Sequence, residues 1–132
     1  MPMNVLYVED NKINAMVMDK MLSKNDSNVI IAENGSQALK VVKEENLDLI
    51  LVDINLGLNQ MDGCELLQRF RKLEILKNIP VFAVTAYAMP GDEQRFINIG
   101  FDNYFSKPVN FDKLISVISN ITSSSFDKRQ TS

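Results

Sequence analysis

The 132-residue chain has no histidine, no tryptophan, a single cysteine and only five glycines. Without histidine there is no Ser-His-Asp machinery, no His-ligated zinc and no phosphohistidine formed on this chain itself. Any phosphoryl chemistry here has to use a carboxylate. The lone Cys64 excludes an internal disulfide and cannot build a thiolate metal cage. Beside Gly63 it reads as a small packed residue, since no histidine or basic cluster is near in sequence to activate a thiolate. No glycine-rich loop follows the first hydrophobic run, which argues against nucleotide or flavin binding. The net charge of −3, with no long basic run, argues against nucleic acid or a membrane surface as partner. No stretch reaches the ~20 apolar residues that span a bilayer, and the amino terminus carries no signal-peptide pattern. The expected location is the cytoplasm.

What is present reads as one α/β domain. Apolar residues make up 45% of the chain and charged residues 23%, ordinary for a globular protein, and the length suffices to bury roughly two-thirds of the unfolded surface. Short, mostly continuous apolar runs lie at Val5–Val8, Val29–Ala32, Leu49–Val52, Val81–Val84 and Phe101–Phe105, the signature of strands buried on both faces. Between them fall stripes with helical spacing: Ile13, Met16, Val17 and Met21; Ala38, Leu39 and Val42; Leu66, Leu67 and Phe70; Phe96, Ile97 and Ile99; and Phe111, Leu114, Ile115 and Ile118. Met16 and Met21 are thus expected as core filler. Gly35, Gly63, Pro90-Gly91-Asp92 and Gly100 punctuate the helices. Five alternating β-α units predict a doubly wound parallel sheet of order 2-1-3-4-5 with five helices. The domain is expected over residues 1–122, with 123–132 a polar tail or linker stub.

In such a sheet the carboxyl ends of the strands meet at one edge, where ligands bind. Glu9 and Asp10 follow the first run, Asp53 the third and Thr85 the fourth, while Lys107 stands before Pro108 just after the fifth. Adjacent acids are a hard-cation signature, because Mg²⁺ takes oxygen ligands, although Asp10 or Asn11 could simply cap the first helix. Asp53 ends the most apolar segment, LDLILVD (47–53), and a carboxylate there needs a compensating partner. If the three acids converge, each like-charge pair costs roughly 4 kcal/mol at ~4 Å and an effective dielectric of 20. A cation and Lys107 would neutralise that cluster. Thr85 offers a hydroxyl to an oxyanion, and Pro108 biases Lys107 to an extended backbone that carries its stem towards the edge.

These residues resemble the receiver (response-regulator) domain of bacterial two-component signalling, over residues 3–122. The resemblance rests on the first-strand acids, Asp53, Val84-Thr85-Ala86, Tyr104 and Lys107-Pro108, each at or near the end of its strand run. The segments VEDNKIN and AVTAYAMPGDEQRF (83–96) look most like stand-alone receivers and those attached to hybrid histidine kinases. The resemblance implies a flavodoxin-like fold and a phosphoacceptor at Asp53, charged by a histidine kinase or histidine phosphotransfer protein. It also implies Mg²⁺ held by Glu9, Asp10, Asp53 and the backbone carbonyl of Asn55, and phosphoryl oxygens bound by Thr85 and Lys107. Tyr104 would be the switch aromatic. The face of the fourth helix, fifth strand and fifth helix would control a downstream protein or output domain, or form a homodimer. Such a protein is a signalling switch, not an enzyme acting on an outside substrate.

One departure from the family pattern follows Asp53. The loop INLGLNQMDG (54–63) has Gly57 where the family usually has proline, and about two extra residues before Asp62-Gly63. The expected consequence is altered partner choice with phosphorylation retained. Two other readings compete with the switch. A phosphorylation-independent receiver is disfavoured because every key side chain is present. A Mg²⁺-dependent phosphatase with an aspartyl nucleophile would want a second Asp at position 55, where this chain has Asn55.

Overall fold

A computed structural model describes residues 3–54, 63–86 and 90–131, those from 122 onward as backbone alone. The strands are β1 (Met3–Val8), β2 (Ser27–Ala32), β3 (Leu49–Asp53), β4 (Val81–Thr85) and β5 (Asn103–Ser106). The helices are α1 (Lys12–Ser23), α2 (Gly35–Glu44), α3 (Gly63–Arg71), α4 (Asp92–Ile99) and α5 (Phe111–Thr131), with a 3-10 turn at Glu74–Leu76. All strand pairs are parallel, and the sheet order is β2-β1-β3-β4-β5, as the alternation predicts.

The central strands are buried on both faces, which is why they read as continuous apolar runs. On one face Leu6, Val8, Ile50, Val52, Val81 and Ala83 pack with residues of α2, α3 and α4, including Ala38, Leu67, Phe70 and Phe96. On the other, Val5, Tyr7, Leu49, Leu51, Val84 and Phe105 pack with Met18 and Leu22 of α1 and Leu114 and Ile118 of α5. Local chemistry sets the helix starts. The Asn11 side chain accepts from the Asn14 amide at 2.9 Å and caps α1, so the capping role falls to Asn11 and leaves Asp10 free for other work. Asn34 caps α2 through the Gln37 amide, and Gln37 Oε1 accepts in return from the Glu33 amide. Gly63 lets α3 start against the end of β3, because a Cβ there would lie 3.0 Å from Ile54 Cδ1 and 3.1 Å from Val52 Cγ1.

Two expectations are corrected. The α1 stripe is rotated: Ala15, Met18 and Leu22 are buried, while Ile13 is 71%, Met16 69% and Val17 44% exposed. Met16 is therefore not core filler. The helix is apolar on more than one side, so periodicity alone could not choose its inner face; docking on the sheet did. The fifth strand starts at Asn103 rather than Phe101. Phe101 is buried in the turn after Gly100, whose φ of 130° ends α4. The last helix, α5, runs from Phe111 through Thr131; neither proline nor glycine interrupts the segment. Among the described residues, no helix is long and apolar enough to cross a membrane.

Candidate functional site

Strand register builds the site. Val8 pairs with Val52, Asp53 with Val84, and Thr85 with Ser106, so the residues just past these pairs come level at one edge. Backbone bonds hold them there: Glu9 N–H donates to Ala32 O (2.9 Å), Ile54 N–H to Val84 O (3.0 Å) and Lys107 N–H to Thr85 O (2.7 Å). Acids about forty positions apart in the chain are thereby fixed by the sheet itself.

At that edge Lys107 Nζ donates to Glu9 Oε1 at 2.9 Å and to Asp53 Oδ2 at 3.1 Å. Glu9, Asp53 and Thr85 are buried, whereas Asp10 is exposed at the rim. Carboxylate oxygens of Glu9, Asp10 and Asp53 lie within 4.8 Å of one another. Burial pushes the Glu9 carboxyl up to about 7; Asp53 adds to the rise and Lys107 opposes it. Burial pulls the Lys107 ammonium down, but the carboxylates of Glu9 and Asp53 outweigh it and hold the group above the usual lysine range. Three carboxylates against one ammonium leave two negative charges, which one divalent cation would balance. The donor set is all oxygen, as Mg²⁺ requires. Glu9 Oε2 is moreover buried with no hydrogen-bond partner in the described structure, a lone-pair set that a cation would satisfy.

The remaining expected residues fall nearby. Thr85 is fully buried at the end of β4, its carbonyl holding the Lys107 backbone. Tyr104 lies on the α4 side of β5, its ring stacked on Phe96 with centroids 5.7 Å apart and an interplanar angle of 17°. Cys64 is partly buried against the core, as expected of a packed residue. Asn55, and the loop whose length departs from the family pattern, lie outside the described residues.

One residue escaped the sequence reading. Tyr7, two positions before Glu9, is buried and donates its hydroxyl to Glu9 Oε1 at 3.1 Å. Burial raises its phenol far above the usual tyrosine range, with the charges of Glu9 and Asp53 adding to the effect. The available signal was a hydroxyl inside an otherwise aliphatic strand buried on both faces, where a polar tip needs a partner.

A parallel sheet covered by helices on both faces, with an acidic, lysine-bridged pocket at its carboxyl edge, defines a class of signalling domains, and the family model for the response regulator receiver domain matches residues 5–119. The chain belongs to that family and so to two-component signalling, in which receivers work with a phosphodonor kinase and downstream targets. Among individual relatives, it is 37% identical over 118 residues to the polar-differentiation response regulator DivK of Brucella anthropi, covering 89% of this chain and 94% of that protein. Among solved structures, it superposes on the receiver domain of the sensor histidine kinase PA1611 of Pseudomonas aeruginosa with a TM-score of 0.80 at 28% identity, covering 91% and 97% of the two chains. That structure has a magnesium ion coordinated in its active-site cleft. Chemotaxis response regulator CheY4 of Vibrio cholerae shares the fold, with a TM-score of 0.81 at 23% identity over 92% of this chain and 99% of that one.

Proposed function

We propose that this chain is a phosphoacceptor switch in which Asp53 takes a phosphoryl group from a phosphohistidine on a histidine kinase or histidine phosphotransfer protein. The observation that supports this reading most is the contact of Lys107 Nζ with both Glu9 and Asp53 at the carboxyl edge of the sheet. Among the described residues, it puts the one ammonium of the pocket against the one carboxylate that ends a buried strand.

In this reading an Asp53 carboxylate oxygen attacks phosphorus. The new O–P bond forms as the N–P bond breaks, and the imidazole leaves with that electron pair. Phosphoryl transfer asks the protein chiefly for positioning and charge neutralisation. Lys107 and the Thr85 hydroxyl would bind the transferred phosphoryl oxygens. Glu9, Asp10, Asp53 and the Asn55 carbonyl would hold Mg²⁺, which when bound neutralises charge on the transferring group. The chain then catalyses only its own phosphorylation and dephosphorylation.

The phosphodonor would dock on α1, where Ile13, Met16 and Val17 expose an apolar patch one turn from Asp10. The readout would pass from Thr85 to Tyr104 and Phe96, changing the α4-β5-α5 face presented to a target, an output domain or a second copy.

The test is incubation with acetyl phosphate and Mg²⁺ followed by intact mass measurement. A gain of one phosphoryl group that disappears in Asp53→Asn is expected. No gain from acetyl phosphate or from a phosphorylated histidine phosphotransfer domain would overturn the reading.

A further inference from the structure

We propose that Tyr7 is a positioning residue for the cation site, its hydroxyl holding the Glu9 carboxylate so that the second oxygen stays free for the ion. The inference rests on the reading of Glu9, Asp10 and Asp53 as cation ligands and adds to it a residue that ligates nothing.

Two donors converge on a single oxygen of Glu9. Lys107 Nζ reaches Oε1 from β5 at 2.9 Å, and the Tyr7 hydroxyl reaches it along β1 at 3.1 Å. Oε2 is equally buried and, among the described residues, receives no hydrogen bond. A carboxylate with one donor can pivot about its terminal torsion, whose energy profile is broad. With two donors arriving from different strands, Oε1 is pinned and Oε2 is left over. An unsatisfied buried carboxylate oxygen costs free energy unless a ligand meets it.

Tyr7 is itself placed with little freedom. Its ring is 1% exposed, with Val5, Met18, Leu51 and Phe105 in the same core layer. Positions 5, 7 and 9 fall on one side of β1 and its extension, so the phenol rises from the core directly under Glu9. Phenylalanine would fill the same space, and only the hydroxyl distinguishes the two. Groups that orient metal ligands without touching the metal commonly change affinity by 10- to 100-fold when removed.

The experiment is calorimetric titration of Mg²⁺ into the full chain, Tyr7→Phe, Glu9→Gln and the double variant, with urea midpoints measured without Mg²⁺. Tyr7→Phe is expected to weaken Mg²⁺ binding about 10-fold. Placed on Glu9→Gln, the same change is expected to have no further effect, because the carboxylate it orients is gone. Equal affinity of Tyr7→Phe and the parent chain overturns the inference and leaves the cation site standing. The same loss of affinity in both backgrounds also overturns it, since packing alone would then be responsible. No Mg²⁺ binding by the parent chain overturns the site reading and this inference together. If Tyr7→Phe lowers the urea midpoint enough to unfold the chain, the absorption of the Tyr7 ring is followed through the Mg²⁺ titration instead, in a Tyr87→Phe, Tyr104→Phe background where it is the one remaining tyrosine. A spectral shift that saturates with binding is expected, and an unchanged spectrum overturns the inference.

Discussion

Tyr104 stacks on Phe96 almost face to face, tying β5 to α4 on the side of the sheet away from α1. Phe96 in turn meets Phe101 edge-on, with centroids 6.1 Å apart, and Arg95 lies 4.8 Å over its ring. A rearrangement at Thr85 that draws Tyr104 inward has to break this stack, so α4 registers the event. Tyr104→Ala is expected to leave phosphorylation of Asp53 intact. In amide NMR spectra with beryllofluoride and Mg²⁺, shifts at Asp53, Thr85 and Lys107 should persist while those over Asp92–Ile99 shrink. Undiminished α4 shifts would show that the signal takes another route.

Lys107→Ala removes the ammonium that contacts Glu9 and Asp53 together. Breaking a buried ion pair from one side costs several kcal/mol. With the Lys107 side chain 19% exposed, a loss of about 2–3 kcal/mol is expected in metal-free urea unfolding. Added Mg²⁺ should recover part of it, because the ion supplies the missing positive charge. A stability gain in the absence of Mg²⁺ would refute the repulsion account of the pocket.

The raised Glu9 carboxyl gives the metal-free protein a pH-dependent stability of definite sign. At pH values between the ordinary 4.5 and about 7 the folded state binds the proton that the unfolded chain has released. The contribution is therefore fully present below about 4.5, falls as pH rises through about 7 and is then lost. Glu9→Gln should flatten this part of the urea-midpoint profile, and Lys107→Ala should move it to higher pH. Asp10→Asn should raise metal-free stability less than Glu9→Gln, since Asp10 is exposed, yet still abolish Mg²⁺ binding. A profile unchanged by Glu9→Gln would assign the effect elsewhere.

The α1 patch separates docking from chemistry. Ile13→Ser with Met16→Ser alters side chains that are mostly solvent-exposed, so the urea midpoint should hardly move. Phosphorylation by acetyl phosphate should also be unchanged. Transfer from a phosphorylated histidine phosphotransfer domain should slow about 10-fold or more, as expected when apolar anchors of an interface are lost. Equal slowing with both donors would place the defect in the pocket rather than on the docking surface.

The sequence by itself determined the sheet and which polar residues stand at the ends of its strands. Strands buried on both faces must be continuously apolar, so the polar residue that ends each run stands out, and parallel topology sends all those ends to one edge. Glu9, Asp53, Thr85 and Lys107 were legible for that reason. What the tertiary structure decided is what depends on orientation about an axis. Apolar residues on more than one side of α1 left its inner face open until packing on the sheet chose Ala15, Met18 and Leu22 and turned Ile13 and Met16 outward. Tyr7 reads as an ordinary strand aromatic until β1 and β5 bring its hydroxyl and Lys107 to the same oxygen of Glu9. The partner of Tyr104 could not be read either, because stacking on Phe96 requires α4 to settle beside β5 at one particular angle. Periodicity reports which residues are apolar; only packing of one element on another sets which atoms meet.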